Sequence, residues 1–268
     1  YLLIDLGLHF RVTSQNDSSE FLDKLLERLE REVGGKEHAE CLKSCFRVRV
    51  SSQLVSVECP HRKPINAGVF EKSFKVNVER MGTLERAIED ALAGELMTGD
   101  SRVDCEKCTL AAHTAALQNG TQPDGPTKRA MKRTLFLDGE NLPSTLCVQL
   151  NRFQFQGNGF VKLNDRLAFN TVLDLAPYTK PPKGQEGDSD EEMSVERDAE
   201  EGAKKEPTSK RRMDTDEPLL YELKGIVVHS GQFSFGHYYS FAKDPITGKW
   251  LKLDDDQVSE FDLAALES

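Results

Sequence analysis

His237 stands between Gly236 and Tyr238, and three consecutive aspartates, Asp254, Asp255 and Asp256, close a run that begins at Trp250. A hydrolase that works through a cysteine or serine needs a base within reach of its nucleophile and a group that fixes the base's tautomer. A histidine beside a glycine, where backbones can approach closely, and a carboxylate at the end of the following strand suit that chemistry. Read singly, they are a surface histidine after a turn and an acidic loop after a strand. The combination HSGQFSFGHYYSF followed by WLKLDDDQV favours a base and its orienting acid.

A second set of side chains could hold a metal. Cys105-Glu106-Lys107-Cys108 has the spacing of half a zinc site. The other half would be Cys59-Pro60-His61-Arg62. Arginine stays protonated and cannot ligate, whereas histidine can. Cys59, His61, Cys105 and Cys108 then form a Cys3His set, with His113 as a fallback ligand. The competing reading is four unpaired or buried side chains.

These residues need elements to carry them. Apolar spacing predicts a helix over 17–32, with Phe21, Leu22, Leu25, Leu26 and Leu29 on one face, a capping box at Asp17 and Glu20, and a stop at Gly34-Gly35. A second helix is predicted over 83–92. Strands are predicted over 46–58, 70–78, 135–137, 146–153, 223–229, 238–243 and 250–253. Helices early and sheet late predict an α+β fold. Residues 183–218 carry 13 acidic against seven basic residues and little apolar surface, which predicts a disordered insertion. Lys210-Arg211-Arg212 within it reads as a solvated charge run rather than a targeting signal.

The chain has 268 residues, a formal net charge of -10, and 38% hydrophobic and 30% charged residues. That balance argues against nucleic-acid binding, which needs a basic face. No run is long and apolar enough to span a membrane and no signal peptide is visible, so no membrane partner is expected. Six irregularly spaced cysteines in a chain this large point to free thiols in a reducing compartment. The expectation is a cytoplasmic protein, with the nucleus also open.

The 223–258 stretch resembles the histidine box of the ubiquitin-specific proteases, thiol hydrolases that remove ubiquitin from proteins. Gln15-Asn16-Asp17-Ser18-Ser19-Glu20-Phe21 resembles that family's Q-x-D-A-x-E-F segment, with serine in place of the usual alanine. Leu142 to Phe153, LPSTLCVQLNRF, resembles its L-P-x-x-L-x-x-x-L-x-R-F strand. Cys59-Pro60-His61-Arg62 and Asp174-Leu175-Ala176-Pro177-Tyr178-Thr179 are most similar to the fat-facets branch. The resemblance implies a papain-like cysteine proteinase fold of thumb, fingers and palm with antiparallel sheet in palm and fingers. Residues 1–45 would be part of the thumb, 46–134 the fingers with the metal site, and 135–268 the palm.

The resemblance also implies roles. His237 would be the general base, Asp254 would orient it, and Asp255 would be a supporting polar group. Gln15, Asp17 and Glu20 would face the ubiquitin tail, while Phe153, His229 and Tyr238 would line a channel narrow enough to admit only its terminal glycines. A structural zinc ion would sit at Cys59, His61, Cys105 and Cys108. Ubiquitin and ubiquitinated proteins would be the partners.

One part of the family pattern has no counterpart. The nucleophile of these enzymes lies in an N-x-x-N-T-C-type segment near the start of the domain, and no such segment occurs here. Cys41 and Cys45 follow the Q-x-D segment, and Cys147 lies in an apolar strand. Since the chain begins with Tyr1, the nucleophile is expected upstream of it, and the chain alone is expected to be inactive. The other reading is a ubiquitin-binding module of the same fold that performs no catalysis. An intact His237 and Asp254 favour the enzyme, because binding alone needs no such pair.

Overall fold

The computed structural model describes residues 16–122, 124–157, 159–179, 217–232 and 235–266. Gln15 and residues 183–216 of the expected insertion lie outside them.

Asp17 opens the first helix, α1 (Ser18–Glu32). Its carboxylate accepts from the backbone N–H of Ser19 (2.8 Å) and of Glu20 (3.1 Å), groups that a helix start otherwise leaves unpaired. Glu20 pairs forward with Lys24 at 2.6 Å, so the cap is Asp17 alone rather than a reciprocal box. Gly34 and Gly35 have positive φ and turn the chain out of the helix. A second helix that the pattern did not predict, α2 (Lys36–Phe46), folds back onto α1. None of its residues is fully buried, so it carries no strong apolar stripe to read. Arg47 then makes a two-pronged contact with Glu30 (2.7 and 2.6 Å), fixing how α1 sits against the strand that follows.

That strand, β1 (Val48–Ser56), belongs to a four-stranded sheet. Phe70–Glu71 flanks it on one side. On the other lies β4 (Met131–Leu137), paired antiparallel from Val50↔Leu137 to Ser56↔Met131. A short strand, β3 (Glu95–Met97), completes the edge. Gly94, at φ 70°, must be glycine: a Cβ there would stand 1.7 Å from the Arg133 carbonyl oxygen. Between these strands the chain forms β2 (Phe74–Asn77), helix α3 (Leu84–Leu92), capped by Thr83, and helix α4 (Glu106–Gln118).

The core gathers around α3. Ile88 and Ala87 are fully buried against Val48, Phe74, Val76, Val78, Leu137, Leu163, Leu167 and Leu175. β5 (Val148–Asn151) runs parallel to β2, one of two short parallel pairs among the described residues, the others being antiparallel. β6 (Phe153–Gln156) and β7 (Gly159–Lys162) form a separate hairpin. The C-terminal sheet is a meander of β8 (Gly225–Gln232), β9 (Phe235–Lys243), β10 (Trp250–Asp254) and β11 (Gln257–Phe261). The predicted α+β class holds, but strands begin at Val48 and a helix returns at Glu106, so helix and sheet are less segregated than expected.

Candidate active site and metal centre

Asp254 is the last residue of β10, and a tight turn through Asp255, at φ 53°, leads into β11. β9 and β10 pair with Ser240 opposite Leu253, so Asp254 lies diagonal to His237 on the same face of the sheet, within side-chain reach. Asp254 Oδ1 is 2.5 Å from His237 Nε2. The contact leaves Nδ1 as the ring atom available to a nucleophile's proton. The hydrogen bond His237 donates to Asp254 holds its pKa above its ordinary value, helped by the charges of Asp254 and Asp255 and opposed by burial and by Lys252. Asp254's own pKa is held down by hydrogen bonds first from Lys252, then from His237. Lys252 Nζ reaches Asp254 Oδ2 at 2.7 Å and lies over the Tyr239 ring, which itself stacks beside His237.

The residues expected around a peptide tail also come together. The rings of Phe153 and His229 meet edge to face with centroids 5.7 Å apart, and His229 meets Tyr238 at 4.7 Å. β8 and β9 place His229 directly opposite Tyr238. Gly236 makes this packing possible, because a Cβ there would stand 2.3 Å from His229 Nε2. Burial lowers the His229 pKa, as does the Lys162 charge, against the pull of Asp17. Asp17 therefore acts on His229 electrostatically while capping α1. Burial would push its carboxyl up, but hydrogen bonds from Ser19 and Glu20, with the charge of His229, leave it below its usual value. Glu20 is exposed and turned to Lys24.

At the far end of the four-stranded sheet, donor atoms of Cys59, His61, Cys105 and Cys108 lie within 4.8 Å of one another. Cys59 and His61 occupy the turn after β1, where Ser56 Oγ accepts from the N–H of Glu58 and of Cys59. Cys105 caps α4 and Cys108 lies in its first turn. His61 Nδ1 is 3.4 Å from Cys105 Sγ and 3.3 Å from Cys108 Sγ, and the sulfurs of Cys59 and Cys105 are 3.9 Å apart. A tetrahedral ion with metal–sulfur bonds of about 2.3 Å separates sulfurs by roughly 3.8 Å and sulfur from imidazole nitrogen by roughly 3.5 Å. The four side chains fit a metal ion. His113 is elsewhere, bonded to the carbonyl of Asp124.

The remaining thiols lie on other elements. Cys41 and Cys45 sit on α2, and the Cys45 carbonyl accepts from Thr145 N–H. Burial raises the Cys147 pKa, and so does the charge of Asp23 on α1, the opposite of what a thiolate nucleophile needs. Lys162 and Lys252, both against the site, were not anticipated. The hairpin signal Gly157-Asn158-Gly159 could have revealed β7 and put Lys162 across from Phe153.

The ubiquitin carboxyl-terminal hydrolase family model matches residues 3–268. The chain is 29% identical to mouse ubiquitin carboxyl-terminal hydrolase 24 over 257 residues, covering 94% of this chain and 9% of that protein. It is 30% identical to the Drosophila melanogaster probable ubiquitin carboxyl-terminal hydrolase FAF over 266 residues, covering 95% of this chain and 8% of that protein. Among solved structures, the SAGA DUB module of Ubp8, Sgf11, Sus1 and Sgf73 bound to monoubiquitin matches with a TM-score of 0.68 at 21% identity, over 94% of this chain and 46% of that one. The same module bound to ubiquitin aldehyde matches equally well, at 20% identity over 94% and 47% of the two chains. The chain thus spans less than a tenth of these curated relatives, and the fold it shares with the solved modules is the papain-like one expected. With the family model matched over nearly all of its length, the chain belongs to the ubiquitin carboxyl-terminal hydrolase family.

Proposed function

We propose that this chain is the base-bearing part of a deubiquitinating thiol hydrolase that cleaves the bond after ubiquitin's C-terminal glycine. The observation that carries the reading is the 2.5 Å contact between His237 Nε2 and Asp254 Oδ1. It engages Nε2 and so leaves Nδ1 to meet a thiol, and it favours the imidazolium of a thiolate–imidazolium pair. The thiolate would add to the scissile carbonyl, His237 would give its Nδ1 proton to the departing amine, and water would then release ubiquitin from the thioester. Asp255 adds negative charge near His237. Because none of the six cysteines lies in an N-x-x-N-T-C-type segment, the nucleophile would come from outside these 268 residues, and the chain alone would be inactive.

The partner would be ubiquitin. Asp17 and Glu20, with Gln15, suit a tail that carries arginines, and Phe153, His229 and Tyr238 suit its glycines. Residues 1–45, 46–134 and 135–268 would be parts of thumb, fingers and palm. The metal at Cys59, His61, Cys105 and Cys108 would be structural zinc. Three thiolates and one imidazole with no open position favour zinc, which would tie α4 to the end of β1 where there is little core.

The test is turnover of a fluorogenic ubiquitin C-terminal substrate. The chain alone should give none. In a longer form containing the nucleophile, His237→Ala should abolish turnover while leaving ubiquitin binding intact. Retained turnover would exclude His237 as the base.

A further inference from the structure

Two hairpins flank the aromatic channel, and they belong to different sheets. β6 and β7 form a two-stranded sheet, while β8 and β9 are half of the C-terminal meander. Besides the Phe153–His229 ring contact, a charged side chain crosses between them. Lys162, the last residue of β7, faces Phe153 across its own hairpin and sends its ammonium to β8. It donates to the carbonyl oxygens of His229 (2.7 Å) and Gly231 (3.1 Å), and His229 Nδ1 lies 3.4 Å away.

We propose that Lys162 is a positioning residue for the ubiquitin-tail channel: its ammonium locks the β6–β7 hairpin onto β8 and, set beside His229 Nδ1, fixes the ring tautomer with the proton on Nε2. The proposal rests on the assignment of Phe153, His229 and Tyr238 to the ubiquitin tail. An ammonium offers three N–H donors and accepts nothing, so His229 Nδ1 beside it can only accept. That selects one tautomer. Burial and the Lys162 charge both disfavour the imidazolium, and Asp17 on α1 is the opposing charge. Burial, then the charge of Arg152, lower the Lys162 pKa, and the two carbonyls work against that by accepting from the ammonium.

The surrounding backbone leaves little room for the arrangement to relax. At Gly231, φ is 109° and a Cβ would stand 2.7 Å from Gly236 Cα. The ring's opposite side lies against Gly236. The hairpins that Lys162 joins also expose Phe155, Phe160 and Phe235.

The test uses the 268-residue chain with Lys162→Met and Lys162→Arg. The ring nitrogen shifts of His229 are followed by NMR against pH, and affinity is measured for ubiquitin and for ubiquitin lacking its last two glycines. Wild type should show the Nε2–H tautomer. Lys162→Met should lose that single tautomer, raise the His229 titration midpoint and weaken ubiquitin binding roughly tenfold, with little change for the truncated ubiquitin. Lys162→Arg should restore the tautomer and most of the affinity. An unchanged His229 titration in Lys162→Met would overturn the proposal, as would equal losses for both forms of ubiquitin. If wild type binds neither form, the tail assignment fails, and the His229 titration still decides the role of Lys162. Should Lys162→Met not fold, Lys162→Gln keeps a donor without charge and should raise the midpoint alone; no rise would overturn the proposal.

Discussion

His237 and Asp254 touch through a diagonal across two strands rather than through a direct cross-strand pair. The strand pairing puts Asp254 opposite Tyr239, and the 2.5 Å contact is reached because His237 lies two residues back on the same face. Tyr239 and Lys252 close around the pair, Lys252 by its hydrogen bond to Asp254 and its position over the Tyr239 ring.

Asp254→Asn should lower the His237 pKa, since the hydrogen bond to Asp254 is the main cause of its elevation. NMR titration of the His237 ring reads this directly, and an unshifted midpoint would disprove the coupling. The linkage has a definite sign. The raised His237 pKa contributes stability that is present below its unfolded value of 6.5 and lost as pH rises through the folded value. The lowered Asp254 pKa contributes stability that is present above 3.8 and lost as pH falls through its folded value.

A zinc ion at Cys59, His61, Cys105 and Cys108 would tie α4 to the end of β1, and removing it should loosen that packing. Purified protein should carry about one zinc per chain, and Cys108→Ala should lower the melting temperature by about 5 °C or more, given the folding free energy such sites supply. Metal analysis near zero in carefully prepared wild type would remove the assignment of Cys59, His61, Cys105 and Cys108.

Asp17 has two roles that substitutions can separate. Asp17→Ala loses the cap of α1 and should cost about 1 kcal/mol of stability. Asp17→Ser keeps a capping oxygen but removes the charge, so stability should stay within about 0.5 kcal/mol while the His229 pKa falls further. Urea denaturation and the His229 titration measure the two effects independently.

Ile88→Ala should be among the more damaging single changes. Ile88 is fully buried at the centre of the core, and such truncations cost about 2–5 kcal/mol. Leu117→Ala, at a residue 70% exposed on α4, should stay within about 0.5 kcal/mol. Equal effects in denaturant melts would contradict the placement of the core.

The elements legible beforehand are those with strong local signals. α1 was bounded to within a residue by its leucine stripe, its aspartate cap and two glycines, and α3 by Thr83 and its apolar face. The Cys3His set was legible because cysteine and histidine spacing is constrained by the metal rather than by the fold. α2 and α4 were missed because neither buries a continuous apolar face.

By itself the sequence pointed to His237 and Asp254 as a candidate base and acid and to four candidate metal donors, because those residue types stand at telling spacings, and the family resemblance added Phe153, His229 and Tyr238. Only the tertiary structure decided that Lys162 reaches His229 and that Lys252 shares Asp254 with His237. Lysine has no characteristic spacing, and its long flexible stem finds acceptors on whichever strand the packing brings near. That neighbour is set by how two sheets dock, a relationship between residues 67 apart in the chain that no local pattern encodes.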